Sequence, residues 1–234
     1  SGTSAAAPHV AGIIALIKQY DSTLSVTEIV DMLKTYSPKV IDSGNGISSA
    51  RVDAKALFGF LGCDMAENGM SIKSNTEFCK FSYNIPSGVK IENDNVVLDC
   101  NGAILQGSNK AGIGISNLGG KDNVEITNCN VKDYDKGISA MGSNVNPALG
   151  NNINNNIINN NNFGLFVKNF NSGFINGNSI TNNLNGIVLE LESRGNDITN
   201  NDLVRNSQSA LKNNQNIDID ALSNWWGSKY KLGI

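Results

Sequence analysis

Residues 151–162 read NNINNNIINNNN, three isoleucines set among nine asparagines. Ile153, Asn156, Ile158 and Asn161 define a template: apolar, two residues, Asn, one residue, apolar, two residues, polar. The template returns as Ile175, Asn178, Ile180, Asn183 and as Ile198, Asn201, Leu203, Asn206, at offsets of 22 and 23 residues. A further step of 23 reaches Ala221, Asn224 and Trp226 in NWWGS. Backwards, a step of 27 reaches Ile126, Cys129 and Val131, and one of 28 reaches Leu98 and Asn101. A second signal keeps the same phase: KGI at 136–138, FGLF at 163–166 and NGIVL at 185–189. A unit this long is too short for the helix-pair repeats of about 34 residues and suits a coil of three short strands. The expectation is a mainly β solenoid of about six coils of 22–28 residues. Stacked about 4.8 Å apart, its inward Ile and Leu form apolar columns and its turn Asn a hydrogen-bonded ladder. GSNVNPAL at 142–149 is extra to the period and predicts a loop on one face.

Ahead of the repeat the periodicity is helical. Val10, Ile13, Ile14 and Ile17 share a face of a helix that ends near Tyr20, with Pro8 close to its start. Ser25 and Glu28 form a capping box for a second helix whose stripe is Ile29, Val30, Met32 and Leu33, stopped by Pro38. GNG at 44–46 is a turn, and SARVDAKALFGFLG predicts a third, short helix with Leu57 and Phe58 inward. The expected organisation is a helical part over 1–62, a connector leading into the solenoid over 63–90, and the solenoid itself over 91–234.

Composition narrows the function. The net charge is −3 with no Lys/Arg cluster, which argues against nucleic acid and anionic membrane as partners. The longest apolar run, IIALI at 13–17, is far too short to span a bilayer. With one histidine and no CxxC among four cysteines, a zinc site is not expected, nor is copper with four scattered methionines. Cys63 and Cys79 bracket a short loop-rich stretch and are candidates to pair, whereas Cys100 and Cys129 each follow a strand-like segment and are expected as buried thiols. The cysteine count fits an extracellular, oxidising home.

GTSAAAPHVAG at 2–12 resembles the catalytic-serine motif of the subtilisin-like serine proteases, with Ala5 where the usual form has Met. GNGISSARVDAKALFG, at 44–59, is similar to the Gly-rich turn and closing helix of that catalytic domain. The repeat resembles the right-handed parallel β-helix family, with VVLDCNGAILQG and NWWGS matching bacterial and archaeal surface members. The first resemblance implies that Ser4 is an acyl nucleophile acting on a polypeptide substrate. A serine at a helix start also has its own N–H and the helix dipole aimed at a developing oxyanion. His9 matches the family's PHV, a structural histidine; five residues along the same helix it lies about 7.5 Å up the axis and cannot serve Ser4. The resemblance places the triad Asp and His, the oxyanion Asn and a signal peptide upstream of residue 1. The chain is then expected to be the C-terminal part of a secreted or surface endopeptidase, inactive by itself.

Two other readings stand beside that one: a non-enzymatic β-helix that binds a glycan or a cell-surface protein, and a carbohydrate-active β-helix. Glu190 and Glu192 are expected to share an outward face because Leu189 and Leu191 point in, and Asp218 and Asp220 repeat the arrangement. Such pairs act as acid and base or hold calcium; otherwise they form a solvated strand face. Phe163, Phe166, Phe170 and Phe174 are candidates for sugar stacking or for core and turn filling, and Trp225 and Trp226 for capping the last coil.

Overall fold

The structure is a computed structural model that describes residues 3–227, without the side chains of residues 3–5 and 60. It divides into two compact units, Ser1–Met65 and Ala66–Ile234.

In the first unit α1 spans Thr3–Tyr20, α2 Val26–Tyr36 and α3 Ala54–Phe60. The capping box of α2 forms: Glu28 N–H donates to Ser25 Oγ at 3.2 Å, and Ser25 N–H donates to Glu28 Oε2 at 2.6 Å. The Ser25 side chain first, and then the Ser25 backbone N–H, hold the pKa of the exposed Glu28 carboxyl below the usual carboxylate value. Asp53 caps α3 by accepting from Ala56 N–H at 3.1 Å. Ile17, Ile29, Leu33, Leu57 and Phe58 make the core of this unit, whereas Val10, Ile13 and Ile14 are only half-buried. The GNG turn closes a short antiparallel hairpin, Lys39–Ile41 against Ser48–Ala50, that the helical reading of the sequence missed. Three-residue strands are too short to show a period.

The second unit is a β-solenoid of about six coils, all of whose ladders are parallel. Its three main sheets share no strand, and a two-stranded parallel ladder, Ala148–Leu149 with Phe170–Asn171, stands beside them. The long sheet stacks Met70–Ile72, Val89–Ile91, Ile113–Leu118, Lys136–Met141, Phe163–Lys168, Asn185–Glu190 and Ser209–Asn213. The six-stranded sheet stacks Thr76–Glu77, Val97–Asp99, Glu125–Thr127, Asn152–Asn154, Phe174–Asn176 and Asp197–Thr199. The five-stranded sheet stacks Ser82–Asn84, Ile104–Gln106, Asn130–Lys132, Ile157–Asn159 and Ser179–Thr181. Register aligns like with like: Leu98, Ile126, Ile153, Ile175 and Ile198 form one buried column, and Leu105, Val131, Ile158 and Ile180 another. The extra residues after Met141 emerge as a surface loop with Val145 at 95% exposure.

Two asparagine ladders turn the corners of each coil. Asn156 donates both its backbone N–H and its Nδ2 to Asn178 Oδ1, each at 3.0 Å; Asn178 does the same to Asn201, and Asn201 to Asn224. Each Nδ2 also returns to the preceding coil, as Asn178 does to Ile153 O at 2.8 Å. Asn161, Asn183 and Asn206 repeat the device at the next corner. The residue before each rung is left-handed, Asn155, Gly177 and Asn200 in one ladder and Asn160, Asn182 and Arg205 in the other. Asn and Gly tolerate that backbone at least cost, which accounts for the Asn-Asn pairs in the sequence.

The in-phase glycines have a separate cause. A Cβ on Gly164 would lie 2.8 Å from Gly186 O and 2.9 Å from the Nδ2 of the ladder residue Asn183; Gly137 meets Gly164 O and Asn161 in the same way. The backbone approaches the next coil so closely there that no side chain fits.

One sequence expectation is overturned. Cys100 and Cys129 are not thiols: they form a disulfide across 29 residues, with Cα atoms 4.7 Å apart. Cys129 stands in the ladder position, its N–H donating to Asn156 Oδ1 at 2.9 Å, and Cys100 stands one coil below it. The register therefore assigns that corner to Cys100, and Asn101 is the left-handed turn residue beside it, with φ of 49°. Two extra residues between Leu98 and Leu105 caused the misphasing: the corresponding pair in the next coil, Ile126 and Val131, is closer in sequence.

These contacts set two expectations. Asn178→Ala removes the acceptor of the Asn156 N–H and the amide bound to the Ile153 carbonyl, while Asn156 Nδ2 keeps Ile126 O, and is expected to cost roughly 2–4 kcal/mol, read by chemical denaturation. Reduction of Cys100–Cys129 is expected to remove about 3–4 kcal/mol, the chain-entropy value for a loop of this length, with Cys100→Ser/Cys129→Ser matching the reduced protein.

Candidate functional site

Ser4 lies in the first turn of α1, and its side chain falls outside the described residues. His9 is exposed on the same helix. A helix fixes residues five apart on divergent faces, so α1 alone assembles no serine–histidine pair.

The solenoid carboxylates do not sit as their spacing suggested. Leu189 is buried, but the strand ends at Glu190; Leu191, with φ of 30°, is half exposed, and Glu192, at 49°, is also left-handed. The chain therefore turns between Glu190 and Glu192, and alternation across a strand no longer relates them. Glu190 accepts from Asn214 Nδ2 at 2.6 Å and lies beside Lys168 in the ladder, while Glu192 is bound by the Arg194 guanidinium. Asp220 bridges to Asp197 at the six-stranded sheet, and Asp218 is exposed nearby in sequence. Among the described residues no group of three or more His, Cys, Asp or Glu is arranged to hold a metal ion.

The four phenylalanines separate by column. Phe170 is fully buried, Phe174 is 52% exposed on the six-stranded sheet, and Phe163 and Phe166 stand on the outer side of the long sheet. Here the structure brings together a group that sequence reasoning missed. The rings of Phe163 and Phe166 meet edge to face, 5.8 Å between centroids. Lys136 Nζ lies 5.5 and 5.3 Å from their centroids and 2.9 Å from Asp135 Oδ2. The other oxygen of Asp135 accepts from Asn162 Nδ2 at 3.0 Å. Lys136 pairs with Phe163 in register, so the signal was present in the aligned KGI and FGLF segments, at the position before the glycine. Ser139, one coil from Phe166, is fully buried and its Oγ has no partner among the described residues. On the same face Lys90, Ser116, Leu118 and Lys121 line a shallow depression of about 410 Å³.

Partial burial pushes the Asp135 pKa up, but the Asn162 amide and the Lys136 ammonium outweigh it and hold the carboxyl below its ordinary value. A depressed folded pKa stabilises the fold above the unfolded value of about 3.9, and that contribution is lost as pH falls through the folded pKa. The Asp135 carboxyl is thus expected to titrate below pH of about 3.9 by NMR, and Asn162→Ala to raise its midpoint.

No helix of the described residues is long and apolar enough to cross a membrane. The chain matched none of the curated proteins and none of the solved structures. Residues 1–59, the segment holding Ser4 and all three helices but for the last residue of α3, match the model of the Subtilase family. The chain joins a subtilase segment to a β-solenoid of about six coils.

Proposed function

We propose that this chain works as the catalytic-serine segment and solenoid appendage of a secreted or surface subtilisin-like serine endopeptidase. The observation that carries the reading is the family match over residues 1–59, which contains GTSAAAPHVAG with Ser4 in the first turn of a long helix. Ser4 is the acyl nucleophile, and its backbone N–H at the helix start contributes to the oxyanion site. The general base and its orienting carboxylate come from outside these 234 residues, because the one histidine present is His9. The 234-residue chain alone is proteolytically inactive. The solenoid anchors the protease or presents substrate, through a glycan or a cell-surface protein. The buried Cys100–Cys129 disulfide supports an oxidising compartment.

The reading is tested by labelling the chain with an active-site-directed fluorophosphonate. Ser4 is expected to stay unlabelled in the 234-residue chain. It is expected to label, with loss on Ser4→Ala, in a polypeptide that carries an in-frame Asp and His at subtilase spacing ahead of residue 1. Protease-like labelling of the chain alone would overturn the predicted inactivity. A coding sequence that starts at residue 1 would overturn the peptidase reading itself.

A further inference from the structure

The corners that join the long sheet to the six-stranded sheet differ in length from coil to coil. In three successive coils the register places them at residues 142–151, 169–173 and 191–196. The middle corner is the shortest, so the loop below it and the corner above it stand as two walls of a cleft floored by Asn169 and Asn171. Two adjoining depressions of about 340 and 410 Å³ lie there, and Ser143, Asn144 and Asn169 line both. The loop wall is held in place: Ser143 N–H donates to Asn146 O at 2.8 Å, and Asn146 Nδ2 donates to Gly119 O at 2.7 Å in the coil beneath. The floor is tied to both walls, because Asn169 N–H donates to Leu191 O and Asn169 O accepts from Ala148 N–H, each at 2.9 Å. The far wall is strained. Leu191 is the one aliphatic side chain among the left-handed residues described, and Glu192 follows it in the same conformation. Such backbone persists only where its surroundings impose it, and it gathers at ligand clamps. Here it turns Leu191 outward, 49% exposed, into the same depression as the loop residue Val145.

We infer that this cleft binds a neutral sugar chain, with consecutive pyranose units in the two depressions. The inference rests on the reading of the solenoid as a glycan-binding appendage and gives that reading a place and a ligand class. Val145 and Leu191 make one depression apolar enough for the C–H face of a pyranose ring. The other presents groups for hydroxyls. Arg194 Nε donates to Glu192 Oε2 at 2.7 Å and Nη2 is held by the same oxygen, so Glu192 Oε1 and Arg194 Nη1 have no partner among the described residues. The side-chain amide of Asn144 has none there either. Acceptor and donor side by side match vicinal hydroxyls, each of which can give and take a hydrogen bond. Charge favours a neutral sugar over an acidic one, since the two cations of the cleft, Arg194 and Lys168, already lie beside Glu192 and Glu190. A peptide fits less well. The N–H groups of Asn169, Ser172 and Arg194 are bonded to Leu191 O, Arg194 O and Asn171 Oδ1, so they offer it no strand edge.

The experiment titrates the full 234-residue chain and follows its amide NMR shifts. The probes are neutral tetrasaccharides of glucose, mannose, galactose and N-acetylglucosamine, a tetrasaccharide of galacturonic acid, and a digest of casein. At least one neutral tetrasaccharide is expected to bind with a Kd near about 1 mM, moving the amides of Asn144, Val145, Leu191 and Arg194. Glu192→Gln and Asn144→Ala, both at exposed positions, are each expected to weaken that binding about fivefold or more. Leu191→Asn relieves the left-handed strain, so it is expected to raise the melting temperature by roughly 2–4 °C while weakening binding. A purely structural Leu191 would give the first effect without the second. A neutral sugar that binds all three variants as tightly as the parent chain would overturn the cleft and leave the glycan reading standing. Failure of every saccharide to bind would overturn both. Tighter binding of the galacturonic acid chain than of any neutral one would overturn the neutral class, and casein peptides that move the cleft amides where no sugar does would overturn the inference in favour of a polypeptide partner.

Discussion

Everything in the solenoid depends on one requirement: a backbone N–H turned inward at each corner must find an acceptor in the dry interior. Asparagine answers it with a carbonyl for the N–H of the coil before and an amide for a carbonyl of that coil, so one side chain satisfies both directions of the stack. Serine and glutamine meet it at another corner, where Phe170 N–H donates to Ser193 Oγ, Ser193 N–H donates to Gln215 Oε1 at 2.8 Å, and Gln215 Nε2 donates to Ser193 O at 2.9 Å. The same requirement explains why the corners come in pairs of residues: a left-handed one that makes the bend, then a ladder residue that satisfies it. The period of 22–23 is the length of three short strands and these corners.

Where the ladder changes residue type, the structure shows what else meets the requirement. Tyr134 occupies the rung before Asn161, donates its N–H to Asn161 Oδ1 at 2.9 Å and sends its hydroxyl to Ile85 O at 2.8 Å. Burial pushes its pKa upward, as it does that of Tyr83, which reaches about 12; neither ring is charged at any ordinary pH. Beyond Cys129 the ladder gives way to a covalent rung, Cys100–Cys129, near the start of the stack, where fewer coils remain to hold the geometry. A solenoid is a one-dimensional array in which each coil leans on its neighbours, so its early coils gain most from a cross-link.

The parts of this fold that were legible in the sequence are those set by period. Ile153, Asn156, Ile158 and Asn161 determine both inner columns and both ladders, and Ser25 with Glu28 determines the start of α2. Local irregularity was not legible. Nothing in VLELE distinguishes a strand that runs to Glu192 from one that ends at Glu190; Leu191 turns outward because the coil must bend there, a tertiary demand on a residue with ordinary strand propensity. The cluster of Lys136, Asp135, Phe163 and Phe166 joins residues 27 apart, and only the coil register brings them together. For Ser4 the situation is reversed: the motif identifies the position, while the groups that would give it reactivity are not encoded by any spacing within the chain.

The two units illustrate different ways for a sequence to carry function. A hydrolytic serine needs three or four groups converging on one point, so its assignment stands or falls on geometry that a single helix cannot supply. On the solenoid the inner columns are committed to packing and the corners to the ladders, which leaves only the outward strand positions free to vary. Because each sheet presents those positions in parallel columns, any bias accumulates along a whole face: lysines on the long sheet, carboxylates on the six-stranded one, near neutrality on the third. Mixed signs within one face neutralise one another between adjacent coils, about 4.8 Å apart, as Glu190 does beside Lys168 on the long sheet.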